Sequence, residues 1–335
     1  MTPGVLITFD VECSMGGAWG NPALRPVPPS RAIMGEYDGR SLGLPLICDI
    51  LEACRLRGTF FLDPFLDEQG YPGEGEKICR YLLDRDQDVQ LHVHPNHKHW
   101  AQHQAGEPFR KTDDMAALSG TEQEALLVEG AERLARWTGR APVAFRAGNM
   151  TASEETLTHL PAAGLRIDSS YVFTMTGKLH AFAAGEHYNG SRWYGKVLEL
   201  ALSGYYQPNW PGLRPAKPVD LVGISFEECR DAVLRIAEAG ADSVVILHSF
   251  SLFKVRNVQY DGGRPDRVVI RRFRRFCQWL ARRRQSLPAR TFAEIDAAVR
   301  AGEYEARSAP PPRLGRPVRA LVRRSVQAVN RLYWV

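Results

Sequence analysis

Seven short apolar runs alternate with longer amphipathic ones along this chain, and that alternation most narrows what it can fold into. The runs that read as strands cover residues 5–11, 59–62, 89–93, 144–146, 165–167, 197–202 and 243–247. Helical periodicity falls between and after them, at 44–57, 75–86, 121–139, 153–163, 225–240 and 268–285. Two of these begin with a capping residue followed by acids, Ser153-Glu154-Glu155-Thr156 and Ser225-Phe226-Glu227-Glu228. Strand–helix–strand order implies a mostly parallel sheet with right-handed crossovers. Seven such units predict an α/β fold, a distorted (β/α)7-type barrel closed or nearly closed, with an open doubly wound sheet as the alternative. A length of 335 residues suits one such barrel, or two ordinary domains. One catalytic domain is expected over 1–306. The proline-rich Ser308-Ala309-Pro310-Pro311-Pro312 stretch then introduces a basic tail, the segment 307–335 being set apart from the body.

Cysteine usage and apolar run length bear on compartment. The six cysteines (Cys13, Cys48, Cys54, Cys79, Cys229, Cys277) form no Cys-x-x-Cys pair and read as free buried thiols of a reducing compartment. The first residues lack the basic and apolar regions of a secretion signal, and no run of about 18 apolar residues occurs. The expectation is a cytoplasmic protein.

The net charge of +5 is uneven. Arginines crowd 271–275 and 282–284, and the stretch 313–331 is arginine-rich with no acid. In that tail Leu314, Val318, Leu321, Val322, Val326, Val329 and Tyr333 fall near one helical face, with Tyr333-Trp334 at its end. Such a helix would lie on an anionic membrane surface, giving peripheral contact at the inner membrane face, or else pack back on the body or form a disordered tail. No nucleic-acid module accompanies the arginines. No glycine-rich phosphate loop follows a strand, so nucleotide binding has little support.

In parallel α/β folds the site forms at the carboxyl ends of the strands. Polar residues collect there: Asp10 and Glu12 on the first strand, His92 and His94 on the third, Arg146 on the fourth, Asp168 on the fifth and His248 on the seventh. Four of nine histidines (His92, His94, His97, His99) lie within eight positions. A divalent metal such as Zn2+ takes two or three ligands of imidazole or carboxylate type and keeps a position for water. Glu12, His92 and one further histidine would supply that set. Residues two apart on extended backbone share a face, so Asp10 joins Glu12, and His94 joins His92. A metal makes water acidic enough for a neighbouring carboxylate to take its proton, and Asp10 is the candidate base. Arg146 would hold Asp10 in place and ionised. His248 would protonate a leaving group, with Asp168 orienting its imidazole.

These residues, in this order, resemble the polysaccharide deacetylase family, the NodB-homology carbohydrate esterases. Thr8-Phe9-Asp10-Val11-Glu12 is similar to its Thr-Phe-Asp-Asp motif, Gly58-Thr59-Phe60-Phe61 to its second-strand segment and Leu91-His92-Val93-His94-Pro95 to its histidine motif. Phe145-Arg146-Ala147-Gly148 resembles its Arg-x-Pro motif, Asp168 its fourth-motif aspartate and Leu247-His248 its final Leu-x-His. The resemblance spans about residues 4–300. It departs where the second acid is displaced to Glu12, where Asn96 stands at the usual second histidine so that the resemblance leaves His94 or His97 to take its place, and where Ala147-Gly148 replaces a proline–aromatic pair. By resemblance the chain removes an N-acetyl group from an amino sugar, a polysaccharide or a lipid- or nucleotide-linked precursor. Trp193, Tyr194, Tyr205, Tyr206 and Trp210 are candidates to stack on sugar rings or to anchor loops. The competing expectations are another C–N hydrolase on the same fold, including ureide hydrolysis, and a non-catalytic carbohydrate-binding relative.

Overall fold

The computed structural model describes residues 1–175, 182, 187–209, 213, 215–315 and 317–332. Ten strands make one sheet: β1 Val5–Val11, β2 Thr59–Leu62, β3 Asp88–Val93, β4 Ala144–Ala147, β5 Ile167–Asp168, β6 Asn189–Tyr194, β7 Val197–Ala201, β8 Ser243–His248, β9 Ala289–Arg290 and β10 Ser308–Ala309. Their order is β8-β1-β2-β3-β4-β5-β7-β6-β10, with β9 beside β1. The seven strands from β8 to β7 are parallel, as the alternation predicts. The principal helices are α1 Leu44–Ala53, α2 Glu74–Leu83, α3 Gly120–Thr138, α4 Glu154–His159, α5 Phe226–Glu238, α6 Arg267–Ala281, α7 Phe292–Arg300 and α8 Pro317–Leu332. Side chains of Ser119, Ser153, Ser225 and Thr291 cap α3, α4, α5 and α7.

Strand pleating sorts the side chains. On β1 the odd residues Val5, Ile7, Phe9 and Val11 join the large core cluster with helix residues such as Phe273 and Phe276. Leu6 joins an inner cluster with Phe61, Ala144, Ile167, Leu198, Val244 and Ile246. Two helix residues, Phe292 and Ile295, enter that inner cluster from α7, Phe292 edge-on to Phe61 at 5.0 Å. The even residues Thr8 and Asp10 share the inward face with Leu6.

The sheet curls but does not close into a complete ladder. Between β7 and β8, among the described residues, only isolated parallel bridges occur, Leu202 to Val244 and Asp220 to Ile246. They bring the segment around Asp220 within two residues of His248.

Three elements depart from the sequence reading. Strand β6, antiparallel to β7, escapes notice because Asn189-Gly190-Ser191-Arg192 carries little apolar signal. Helix α7 was not anticipated either. The supposed break at 308 is instead stitched to the sheet, β10 pairing with β6 and Ala309 being buried. All six cysteines are free and five are buried. No helix among the described residues is long and apolar enough to cross a membrane.

Candidate metal centre and catalytic rim

Three of the four expected metal-ligand candidates meet at the rim. Ligand atoms of Glu12, His92 and His94 all lie within 4.8 Å of one another. His92 Nε2 is 3.1 Å from Glu12 Oε2, while its Nδ1 lies 2.8 Å from the carbonyl of Arg146. His94 turns Nε2 to Glu12 and Nδ1 to Asp113 Oδ2, 2.9 Å away. Each imidazole is therefore fixed through one nitrogen and offers the other, the arrangement by which outer partners orient metal ligands.

His97 does not join this group. It sits on the short helical turn Pro95–Lys98, where its Nδ1 is 2.9 Å from the buried Asp63, and its ring stacks on His94 at 4.6 Å. Asp63 also accepts the backbone N–H of His94 at 3.1 Å, so it braces both histidines. His99, on the same turn, lies 5.7 Å from the Phe109 ring.

The electrostatics favour a cation here. Burial opposes ionisation of Glu12, yet His94 and His92 outweigh it and hold this carboxyl well below the usual range. Burial likewise opposes the charged form of His94, but Glu12 and Asp113 lift its pKa well above the ordinary imidazole value. For His92 burial is again outweighed, by Asp10 and Glu12, and the pKa rises. The same negative field that draws protons onto these imidazoles would stabilise a divalent ion in their place. Two nitrogens and one carboxylate oxygen match the donor set of a catalytic zinc-type site.

Gly148 explains one departure from the family pattern. A Cβ built there would lie 2.5 Å from His94 Cγ, so a side chain at 148 would displace the imidazole. Gly148→Ala is expected to lower metal affinity about 10–100-fold, the usual cost of disturbing a ligand's support; competition with a chromogenic chelator measures it. Unchanged affinity would mean that His94 is not a ligand.

Asp10 lies on the inward face, nearly inaccessible to solvent, with Oδ1 2.6 Å from Arg146 Nη1. Arg146 is fully buried, donates also to Thr8 Oγ1 and to Ser169 through its carbonyl and hydroxyl, each at 3.1 Å, and stacks over Phe61. The other Asp10 oxygen, Oδ2, faces His248 Nε2 at 3.8 Å. The pairing of Asp10 with His248 follows from the β1–β8 register.

Asp168 does not orient His248. The β5 register places Ile167 in the inner cluster, so Asp168 points to the opposite face, paired across the ladder with Glu199. It accepts from the backbone and hydroxyl of Ser170 at 3.0 and 2.8 Å. Burial first, and the Asp168 charge second, push Glu199 well above the usual carboxylate range. Besides Asp10, a carboxylate in the electrostatic field of His248 is Asp220, whose own pKa burial raises against the Val222 N–H, His248 and Lys217. Sequence reading missed Asp220, Asp113 and Asp63. Of these only Asp63, which directly follows β2, carried the strand-end signal.

The aromatic candidates divide. Tyr205 is fully buried and cannot stack on a ligand; Trp193 is 48% exposed on β6; Tyr194 packs on Phe182 and Tyr206 on Phe173 and His187. Trp210 lies outside the described residues. Other aromatics stand closer to the chemistry: Phe250 lies 4.9 Å from His248, and Trp19, Trp100 and Phe109 cluster where the loops after β1 and β3 meet.

The curled seven-stranded parallel sheet matches the fold of a solved structure assigned as a polysaccharide deacetylase. A solved structure of a Mycobacterium smegmatis protein assigned as a polysaccharide deacetylase superposes with a TM-score of 0.53 at 16% identity, over 93% of this chain and 95% of that one. Structures of a family 4 carbohydrate esterase from Streptomyces lividans (TM-score 0.43, 14% identity, 86% and 91% covered) and of a peptidoglycan N-acetylglucosamine deacetylase (0.44, 14%, 88% and 87%) overlap more loosely. No family model matches the sequence, and no curated protein does. At these identities the likeness establishes the fold alone.

Proposed function

We propose that the protein is a metal-dependent N-deacetylase acting on an acetylated amino sugar. The observation that carries this reading is the Glu12, His92 and His94 cluster placed beside Asp10 on the same rim. A divalent cation held by these three side chains, Zn2+ by its donor set, would supply Lewis-acid polarisation of the acetamide carbonyl. Asp10, anchored through Oδ1, keeps Oδ2 free to take a proton from the attacking water. His248 Nε2, 3.8 Å from that oxygen, would give a proton to the departing amine nitrogen. Asp220 would stabilise the charged imidazole that gives up this proton, the role that the sequence reading gave to Asp168.

Metal analysis of the purified chain with acetate release from a panel of N-acetylated sugars tests the reading. Near-stoichiometric divalent ion is expected in the wild type and in His97→Ala, and its loss in His92→Ala and His94→Ala. Chelation should abolish acetate release and added Zn2+ restore it. An ion-free protein whose acetate release ignores chelators would sink the proposal.

A further inference from the structure

Helix α8 is folded inside out. An amphipathic helix normally turns its apolar stripe to the core, yet apart from the small Ala320 the residues α8 presents to the body are polar. Arg323 is buried with Nε 3.0 Å from Glu228, Gln327 donates to the carbonyl of Gly223 at 3.1 Å, and Asn330 donates to both oxygens of Asp266 at 3.1 and 3.0 Å. Its apolar residues point outward: Val318 is 69% exposed, Val322 58%, Val329 68% and Leu332 65%. An inward face fixed by hydrogen bonds and ion pairs cannot rotate to hide this stripe without breaking them.

The surroundings say what covers it. Val318, Val322 and Val326 form one wall of a groove of about 440 Å³ against α6, whose side contributes Val268, Arg271 and Arg275, the last paired with Glu227 of the same groove at 2.9 Å. Arg267, Arg271 and Arg274 on α6 are exposed and have no acidic partner among the described residues. Neither α6 nor the stretch 313–332 contains an acid. An apolar ridge flanked by unpaired arginines matches the interface of an anionic bilayer, where valines enter the acyl boundary and guanidinium groups meet phosphates. A second copy of the chain would bring the same arginines against these and be repelled.

We propose that the α6–α8 face docks on an anionic membrane surface. The end of α8 bonds to the segment that follows His248, Lys254 Nζ reaching Asn330 Oδ1 at 2.9 Å, so docking would hold the rim close to the bilayer. This inference stands apart from the reaction proposed above, because binding is read without turnover.

The test is co-sedimentation of the full chain with vesicles of phosphatidylcholine alone and of phosphatidylcholine with phosphatidylglycerol. Binding is expected only to the second kind and should fall with added salt. The double variant Val322→Asp/Val326→Asp and the double variant Arg271→Gln/Arg274→Gln should each weaken binding by more than about tenfold. All four positions are exposed, so thermal unfolding should be unchanged. Equal binding to both vesicles, or binding to neither, would overturn the proposal. So would a dimer in light scattering that Val322→Asp/Val326→Asp dissolves, since the face would then belong to a second copy.

Discussion

Asp10→Asn is expected to slow acetate release by about 10²–10⁴-fold, the range over which a positioned general base contributes. The substitution keeps the shape of the side chain and an oxygen for Arg146 Nη1 to donate to. What it removes is the basic Oδ2 that faces His248 Nε2 at 3.8 Å. Asp10 is not among the three clustered ligands, so the Asn variant should retain its metal. That combination, metal kept and turnover lost, separates a base from a ligand; His94→Ala should lose both. Full turnover in Asp10→Asn would remove Asp10 from the mechanism and shift attention to Glu12, the other rim carboxylate.

The parts of the site visible in the sequence are those set by strand period and strand end. Asp10 and Glu12, like His92 and His94, are two apart, and the pleat puts each pair on one face. Arg146 follows from the same rule, because it is two residues beyond the inward Ala144. Asp168 shows where the rule fails. It ends an apolar run as the others do, but a strand of only two residues leaves its phase unreadable, and Ile167 takes the inward position. The residues that support the site were hidden for another reason. Asp113 reaches His94 from a loop 19 residues away, and Asp220, 28 residues before His248, comes near it through an isolated bridge to Ile246. Neither separation has a period.

The choice between His94 and His97 was equally beyond spacing. It turns on Asp63, which draws His97 Nδ1 to itself, and on Gly148, whose missing side chain admits the His94 ring. The tail gave the opposite lesson. Its amphipathic pattern was plain, but a pattern does not say which face turns inward. That was decided by Glu228, Gly223 and Asp266, whose polar groups bind the arginine, glutamine and asparagine side of α8.

Arg146→Leu is expected to be the most destabilising single change at the rim, by about 3–5 kcal/mol, because it leaves Asp10 buried without its counter-charge. Both side chains of the pair are essentially sealed from solvent. By contrast Arg31 and Asp261 form a pair of similar length, 2.7 Å, with side chains 44% and 56% exposed, and breaking it should cost less than about 1 kcal/mol. Arg146→Lys should fall between these limits, since an ammonium keeps the charge but cannot make the forked bonds to Thr8 and Ser169 together with that to Asp10. Denaturant unfolding of the four proteins measures the order. Adding Asp10→Leu to Arg146→Leu should recover part of the loss, because no unpaired charge remains, so the two changes should be far from additive. Additive costs would mean that the pair does not act as a unit, and that Arg146 holds the rim through Thr8 and Ser169 alone.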